Sequence, residues 1–177
     1  MPLGADKGPG IEDWDETQVP MIRYKGVFDW EGLYRLCRLW IEDNRYKFQE
    51  KRYKHKGDEL EIDLTGERRI DEMHKQHLYV YFHIWHLRDI EIAEGTKTLK
   101  RNTGLVHVEI WGSIEVDYSG RFEGSKFKEK LKKWWMIIRK KEFLGTYIEP
   151  FTKTLFDLHT KIKTFLNMST DENYYKL

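Results

Sequence analysis

The stretch Val106–Tyr118, VHVEIWGSIEVDY, decides how the rest of the chain is read. Val106, Val108, Ile110, Ile114, Val116 and Tyr118 fall on one parity, and His107, Glu109, Trp111, Ser113, Glu115 and Asp117 on the other. Successive side chains of a strand point to opposite faces, so this alternation describes a strand with one dry and one wet surface. Gly112 falls on the dry parity, where a missing side chain marks a bulge or the close approach of another group.

Upstream, the same signal recurs. His77–Ile92 is rich in Tyr, Val, Phe, Ile and Trp, and Glu59–Ile70 alternates Leu60, Ile62 and Leu64 against Glu59, Glu61 and Asp63. Lys56-Gly57-Asp58 is a turn signal that joins this strand to Arg45–His55, while Gly95–Gly104 reads as a loop carrying Lys97, Lys100 and Arg101. Val19–Val27 forms a first strand, followed by Asp29 as an N-cap. Trp30, Leu33, Cys37, Trp40 and Ile41 then recur at helical spacing, which predicts a helix over Trp30–Asp43 with Cys37 as a buried, inert thiol. Downstream, Ser125–Phe143 places Phe127, Leu131, Trp134, Trp135 and Ile138 on one stripe. Pro150 opens a last helix, with Phe151, Leu155, Leu158, Ile162, Phe165 and Leu166 on its apolar face.

The order is β-α-β-β-β-β-α-α. It predicts a two-layer α+β domain, an antiparallel meander of about five strands with the helices on one face, and the dry face of the sheet is the expected partner of every helical stripe. In outline this order is similar to the helix-grip (START-like) superfamily, in which a curved antiparallel sheet wraps a long C-terminal helix around an apolar cavity. The similarity is one of element order and not of motif. Helix-grip domains usually carry more strands and a second short helix after the first, which this sequence does not show. The resemblance implies a carrier of a small apolar ligand, held between the inner face of the sheet and the C-terminal helices.

The 177 residues fit one domain, expected at 19–168. Residues 1–18 carry Asp6, Glu12, Asp13, Asp15 and Glu16 against Lys7, a net charge of −4, and read as a flexible acidic tail. Residues 169–177 read as a frayed terminus. With 15% aromatic residues the chain is too apolar to be disordered as a whole. No apolar run approaches the ~18 residues of a membrane-spanning helix. One cysteine excludes an intrachain disulfide framework, and with no leader pattern visible the expected location is cytoplasmic. Abundant Lys, Glu, Ile and Tyr with only two alanines (Ala5, Ala93) fits a heat-adapted or AT-rich source.

The most distinctive charge feature lies between Lys126 and Glu142, where eight cations face Glu129 and Glu142. That leaves +6 on the helix and −5 on the remainder of a chain whose net charge is +1. Lys130, Lys132, Lys133, Arg139, Lys140 and Lys141 are the candidate anion-binding residues, beside the paired rings of Trp134 and Trp135. Such a helix suits an anionic membrane surface or a nucleic-acid backbone. Trp111 sits on the wet-face parity of its strand, and with Trp85, Trp134 and Trp135 it is the candidate partner interface, for another protein or a second copy of the chain.

Among the seven histidines, His74 and His77 are three apart, as are His83 and His86, with His107 on another strand. Residues three apart in a strand face opposite sides, so His83 and His86 do not share an ion if that segment is extended. His83 and His107 meet only if neighbouring strands bring them into register. The His-Glu-x-x-His pattern is absent, as are a phosphate-binding Gly-rich loop, a Gly-x-Ser-x-Gly elbow and a Cys/His pairing. No catalytic residue, metal ligand set or cofactor is therefore assigned. The expectation is a non-enzymatic binding or assembly protein that presents a basic aromatic helix and an aromatic sheet face. A helix-grip carrier is the first alternative, and a His-based metal-dependent enzyme is the second.

Overall fold

The computed structural model describes residues 14–94, 97–122 and 124–168, without the side chains of residues 14–16, 94, 97, 129, 133, 135 and 136. Alternation along Val106–Val116 produces the expected strand, and it is longer than its apolar signal. The central hairpin consists of β5 (His74–Glu94) and β6 (Lys97–Val116), paired antiparallel from His74↔Val116 to Glu94↔Lys97. Lys97–Gly104, read as a loop from its charges, is therefore strand. This part of β6 supplies no residue to the buried core, so its sequence needs no apolar parity. On one side of the hairpin lie β4 (Glu59–Arg69) and β3 (Lys47–Lys56), and on the other β1 (Trp14–Gln18) and β2 (Ile22–Phe28) both run along β6.

The sheet is antiparallel throughout and has six strands, one more than the pattern predicted. The additional strand, Trp14–Gln18, falls in the stretch read as an acidic tail. It is an edge strand held by backbone pairing to residues 111–114 of β6, a device that leaves no apolar period in the sequence. Pro20 stands between β1 and β2, where the missing N–H costs the sheet no ladder bond. The rest of the predicted tail, residues 1–13, and the frayed terminus at 169–177 lie outside the described residues.

Helix α1 (Trp30–Asp43) starts where Asp29 accepts a 2.9 Å hydrogen bond from the N–H of Gly32, and it buries the five residues of the predicted stripe. The other roof element is α3 (Glu149–Phe165), which buries Phe151, Leu155, Leu158 and Ile162. Both lie over the dry face of the sheet, formed by Leu60, Ile62, Leu64, Leu78, Val80, Phe82, Ile84, Val106, Val108, Ile110 and Ile114. Trp40 ties the two helices together: its Nε1–H donates to Asp157 Oδ2 at 2.7 Å. Gly112 is the site of a close approach, because the ring of Phe151 occupies the space a side chain would take. Cys37 is fully buried, and burial pushes its thiol pKa up, as expected of an inert core residue.

One expectation fails. The stripe of α2 (Lys126–Phe143) was expected to lie on the dry face, yet that face is filled by α1 and α3. Phe127, Leu131, Trp134 and Ile138 remain 74%, 41%, 62% and 60% exposed. α2 continues through a π-helical turn, Leu144–Ile148, into α3. Pro150, in the first turn of α3, has no N–H for the carbonyl four residues back, and just before it the helix is widened, the N–H of Glu149 bonding to Leu144 O five residues back. A single long, interrupted helix thus has one half docked and the other half projecting.

Candidate functional site

Two features carry chemistry beyond the core: the projecting helix with its root, and the wet face of the sheet.

Ser125 caps α2, its hydroxyl accepting from the N–H of Phe127. The four exposed apolar residues recur at 0, +4, +7 and +11, so they form one line along the helix. Of the predicted anion-binding residues, Lys130, Arg139, Lys140 and Lys141 are exposed and Lys132 is partly so, while the side chain of Lys133 lies outside those described. Among the described residues no carboxylate lies in ion-pair range of Lys130, Lys132, Lys140 or Lys141, whereas Arg139 pairs with Glu142 at 3.4 Å. Trp134 is on the exposed line, and the side chain of Trp135 is not described.

At the root of α2, its last turn meets the β4–β5 connection and the end of β6. Between them opens a cleft of about 320 Å³, lined mainly by carbon, with Met73, His74, Val116, Phe143 and Tyr147 in its wall and Arg121, Arg139 and Lys140 around it. His74 is 4% exposed. Its ring lies 4.2 Å from that of Tyr147 and 5.7 Å from that of Phe143, centroid to centroid, so the π-helical turn packs directly on it. Asp71 organises this corner: it accepts from the N–H groups of Met73 and His74, from His74 Nδ1 at 2.8 Å, and from the Tyr147 hydroxyl at 2.9 Å. Burial raises the carboxyl pKa, but these donors outweigh it and hold Asp71 down at about 2. The bond to Asp71 fixes the tautomer with hydrogen on Nδ1 and leaves Nε2 as the free nitrogen. That Nε2 is buried without a hydrogen-bond partner.

On the wet face, His83 and His107 are brought into direct register. The imidazoles nevertheless do not converge, because each takes its own carboxylate: His77–Glu115 at 2.9 Å, His83–Glu59 at 2.6 Å, His86–Asp58 at 3.1 Å and His107–Glu109 at 3.1 Å. In the last pair the oxygen lies out of line, so His107 Nε2 gains charge proximity without a hydrogen bond. Burial, with Arg23 and His83 nearby, outweighs Glu109 and lowers the His107 pKa. His86 occupies a bulge with φ 55° and takes Asp58 as its partner, where His83 takes Glu59. Among the described residues, Glu59, Glu61 and His83 offer three ligand atoms within 4.8 Å of one another. Glu61, however, is already within 3.4 Å of Arg52 and 3.7 Å of Lys54.

The predicted interface rings of this face are half-buried rather than bare. Trp111 stacks on Tyr79 at 5.4 Å, and Trp85 covers His83 at 3.7 Å. Sequence reading considered His74 only as a metal ligand. The signal it left unused was Asp71, three residues earlier in a turn, the spacing at which a carboxylate caps its own chain and orients the ring.

No protein-family model matches the chain, and no curated protein or solved structure is similar enough to match it. No helix among the described residues is long and apolar enough to cross a membrane.

Proposed function

We propose that this protein is a non-enzymatic attachment module whose α2 lies on an anionic phospholipid surface. The observation that supports this most is the exposed line of Phe127, Leu131, Trp134 and Ile138, flanked by lysines that no described carboxylate neutralises. Burying a large apolar side chain is worth about 1.5–3 kcal/mol, so a fold that leaves four aligned on one helix forgoes stability unless something covers them. Ile137, 69% exposed, lies beside this line on the same helix, whereas exposed apolar residues such as Met21, Leu39, Tyr53 and Ile92 are scattered over other elements.

Charge selects among the possible covers. Pairing with the same helix of a second copy would bring two +6 surfaces together, with Lys128 and Lys130 bordering the seam on both sides. A lipid interface suits the pattern better. As an amphipathic helix, α2 sinks Phe, Leu, Trp and Ile to the level of the acyl boundary while the lysine stems reach up to the phosphates. Each lysine near such a surface contributes about 1 kcal/mol, and the effect fades with salt.

The test is flotation with vesicles of phosphatidylcholine alone and of phosphatidylcholine mixed with phosphatidylserine, at low and high salt, beside a gel-shift assay with single-stranded RNA and DNA. Binding to the phosphatidylserine vesicles that weakens with salt and is lost in Trp134→Ser supports the reading. Retention by nucleic acid with no vesicle binding would replace lipid by a phosphodiester polymer, and indifference to both would end it.

A further inference from the structure

We infer that the outer edge of β3 is a docking site for an extended segment of another protein, one in which acidic and apolar residues alternate and which adds to the sheet as a further strand. The inference is independent of surface attachment and stands on a different part of the molecule.

Three observations converge on it: a free edge, a trough beside it and a column of charge along it. In the sheet order β1-β6-β5-β4-β3, strand β3 pairs with β4, and among the described residues no strand pairs with its other side. With 10 residues this edge runs for about 34 Å, and alternate residues turn their N–H and C=O groups outward along it. An uncovered edge of that length is a template for a further strand. Beside it, between β3 and α1 on the roofed side of the sheet, lies a shallow trough of about 480 Å³. Its wall carries the rings of Tyr34 and Tyr53, the latter 54% exposed, and the Tyr34 hydroxyl donates to Glu50 at 2.6 Å. The charges of the trough, Glu31 and Glu50 against Arg35 and Arg38, cancel, so it suits apolar side chains.

The acidic half of the partner follows from the wet face. There β3 presents Lys47, Arg52, Lys54 and Lys56, directly opposite Glu67, Asp63, Glu61 and Glu59 of β4. Summed over the two strands these charges balance, and what selects the partner is the order in which they lie. Opposite charges directly across from one another stabilise a strand pair, and like charges destabilise it. A strand outside β3 meets the cationic column first, so its residues on that face are acidic. Two of the lysines are also unengaged. Glu67 is held by Lys75 at 2.8 Å and Glu59 by His83 at 2.6 Å, and among the described residues no carboxylate lies in ion-pair range of Lys47 or Lys56. The same column turns away a second copy, whose β3 would set lysine against lysine. Past the irregularity between Glu50 and Arg52 the pairing is regular as far as Lys56, and Tyr53 falls within that stretch. Parity then sets the alternation of the partner: acidic residues beside the lysines, and apolar residues on the other face, toward Tyr34 and Tyr53.

Fluorescence anisotropy of a fluorescein-labelled decapeptide of alternating glutamate and valine, titrated with the full chain, tests this. Saturable binding is expected. The same peptide N-methylated throughout keeps its charge but has no N–H to donate, and it should bind more weakly by about tenfold or more. A lysine–valine peptide should be weaker by a similar factor. Lys54 and Lys56 are exposed, so Lys54→Ala combined with Lys56→Ala leaves the fold intact and should weaken the acidic peptide by about fivefold. Hydrogen exchange locates the contact: the acidic peptide should slow the amides of residues 47–56 and leave those of the basic helix at 126–143 unchanged. No saturable binding up to about 1 mM overturns the inference. Equal binding of the N-methylated or the lysine peptide does so too, as does affinity unchanged in the double variant. Protection confined to 126–143 would mean an acid held by α2 alone, and it overturns the inference as well. So does slowing of 47–56 that grows with protein concentration before any peptide is added, which would give the edge to a second copy.

Discussion

Gly112→Ala puts the packing of the roof on the sheet to a quantitative test. Gly112 lies on the dry face of β6, opposite Leu78, with the ring of Phe151 from α3 seated over it. A methyl group there would stand 2.7 Å from Phe151 Cε1 and 2.8 Å from the carbonyl oxygen of His77, with Phe151 Cζ closer still. Carbon atoms in good contact are about 3.5–4.0 Å apart, so the overlap with the ring approaches ~1 Å. Neither wall yields easily: Phe151 is 1% exposed among core residues, and the His77 carbonyl belongs to the sheet backbone. Overpacking of this kind costs about 1–3 kcal/mol, and two stiff walls place it near the upper end, about 3 kcal/mol.

For a chain of this length 1 kcal/mol corresponds to about 2–4 °C, which predicts a fall in Tm of about 6–12 °C. Circular-dichroism melts and urea titrations of wild type, Gly112→Ala, Phe151→Leu and the double variant supply the complete cycle. Shrinking the ring removes the clash with Phe151 and leaves that with the His77 carbonyl, so the double variant should be less destabilised than the two single changes together, by about 1 kcal/mol or more. Gly112→Ala within about 0.5 kcal/mol of wild type, the ordinary range for surface changes, would refute the seating of α3 on β6. Strict additivity would refute it as well.

Other consequences are simpler to state. Trp40→Phe removes the 2.7 Å bond to Asp157, and because Lys161 still holds that carboxylate at 3.2 Å, the loss should be about 1–1.5 kcal/mol by urea titration. Phe127→Ser and Trp134→Ser, at positions 74% and 62% exposed, should leave Tm almost unchanged, within about 0.5 kcal/mol. A loss several times larger would show that the line is docked. Asp71 is held at about 2 in the fold against about 3.9 in an unfolded chain, so the unfolded state takes up the proton first. Its stabilisation is complete above about pH 4 and disappears as the pH falls toward 2. Solvent screening of a side chain 39% exposed limits it to about 1 kcal/mol, and the gap between wild type and Asp71→Asn should close over that window in acid unfolding.

The elements whose side chains carry a period were legible in the sequence, and those defined by backbone or by partner were not. The α1 stripe and the parity of Val106–Val116 each specify a face, and those faces are buried as read. β1 and the outer part of β6 left no such trace, since strand pairing outside the core needs hydrogen bonds and not an apolar period. The α2 stripe was visible, but its destination was not, because periodicity states that a face is apolar without stating what covers it. Two helices already fill the sheet, and α2 is separated from the docked α3 by the π-helical turn at Leu144–Ile148. The charge on α2 was plain from composition. The cleft beside it was not, since it depends on Asp71, His74 and Tyr147 meeting across 76 positions of sequence.

The most direct test of the central claim uses the single native thiol. Cys37 is fully buried with its pKa pushed up, so a nitroxide placed through Ile138→Cys, at a site 60% exposed, labels α2 alone. The electron paramagnetic resonance spectrum should be mobile in solution. It should then become restricted and accessible to oxygen on phosphatidylserine-containing vesicles, and revert at high salt. A label already immobile without vesicles, or one whose spectrum the anionic surface leaves unchanged, contradicts the account.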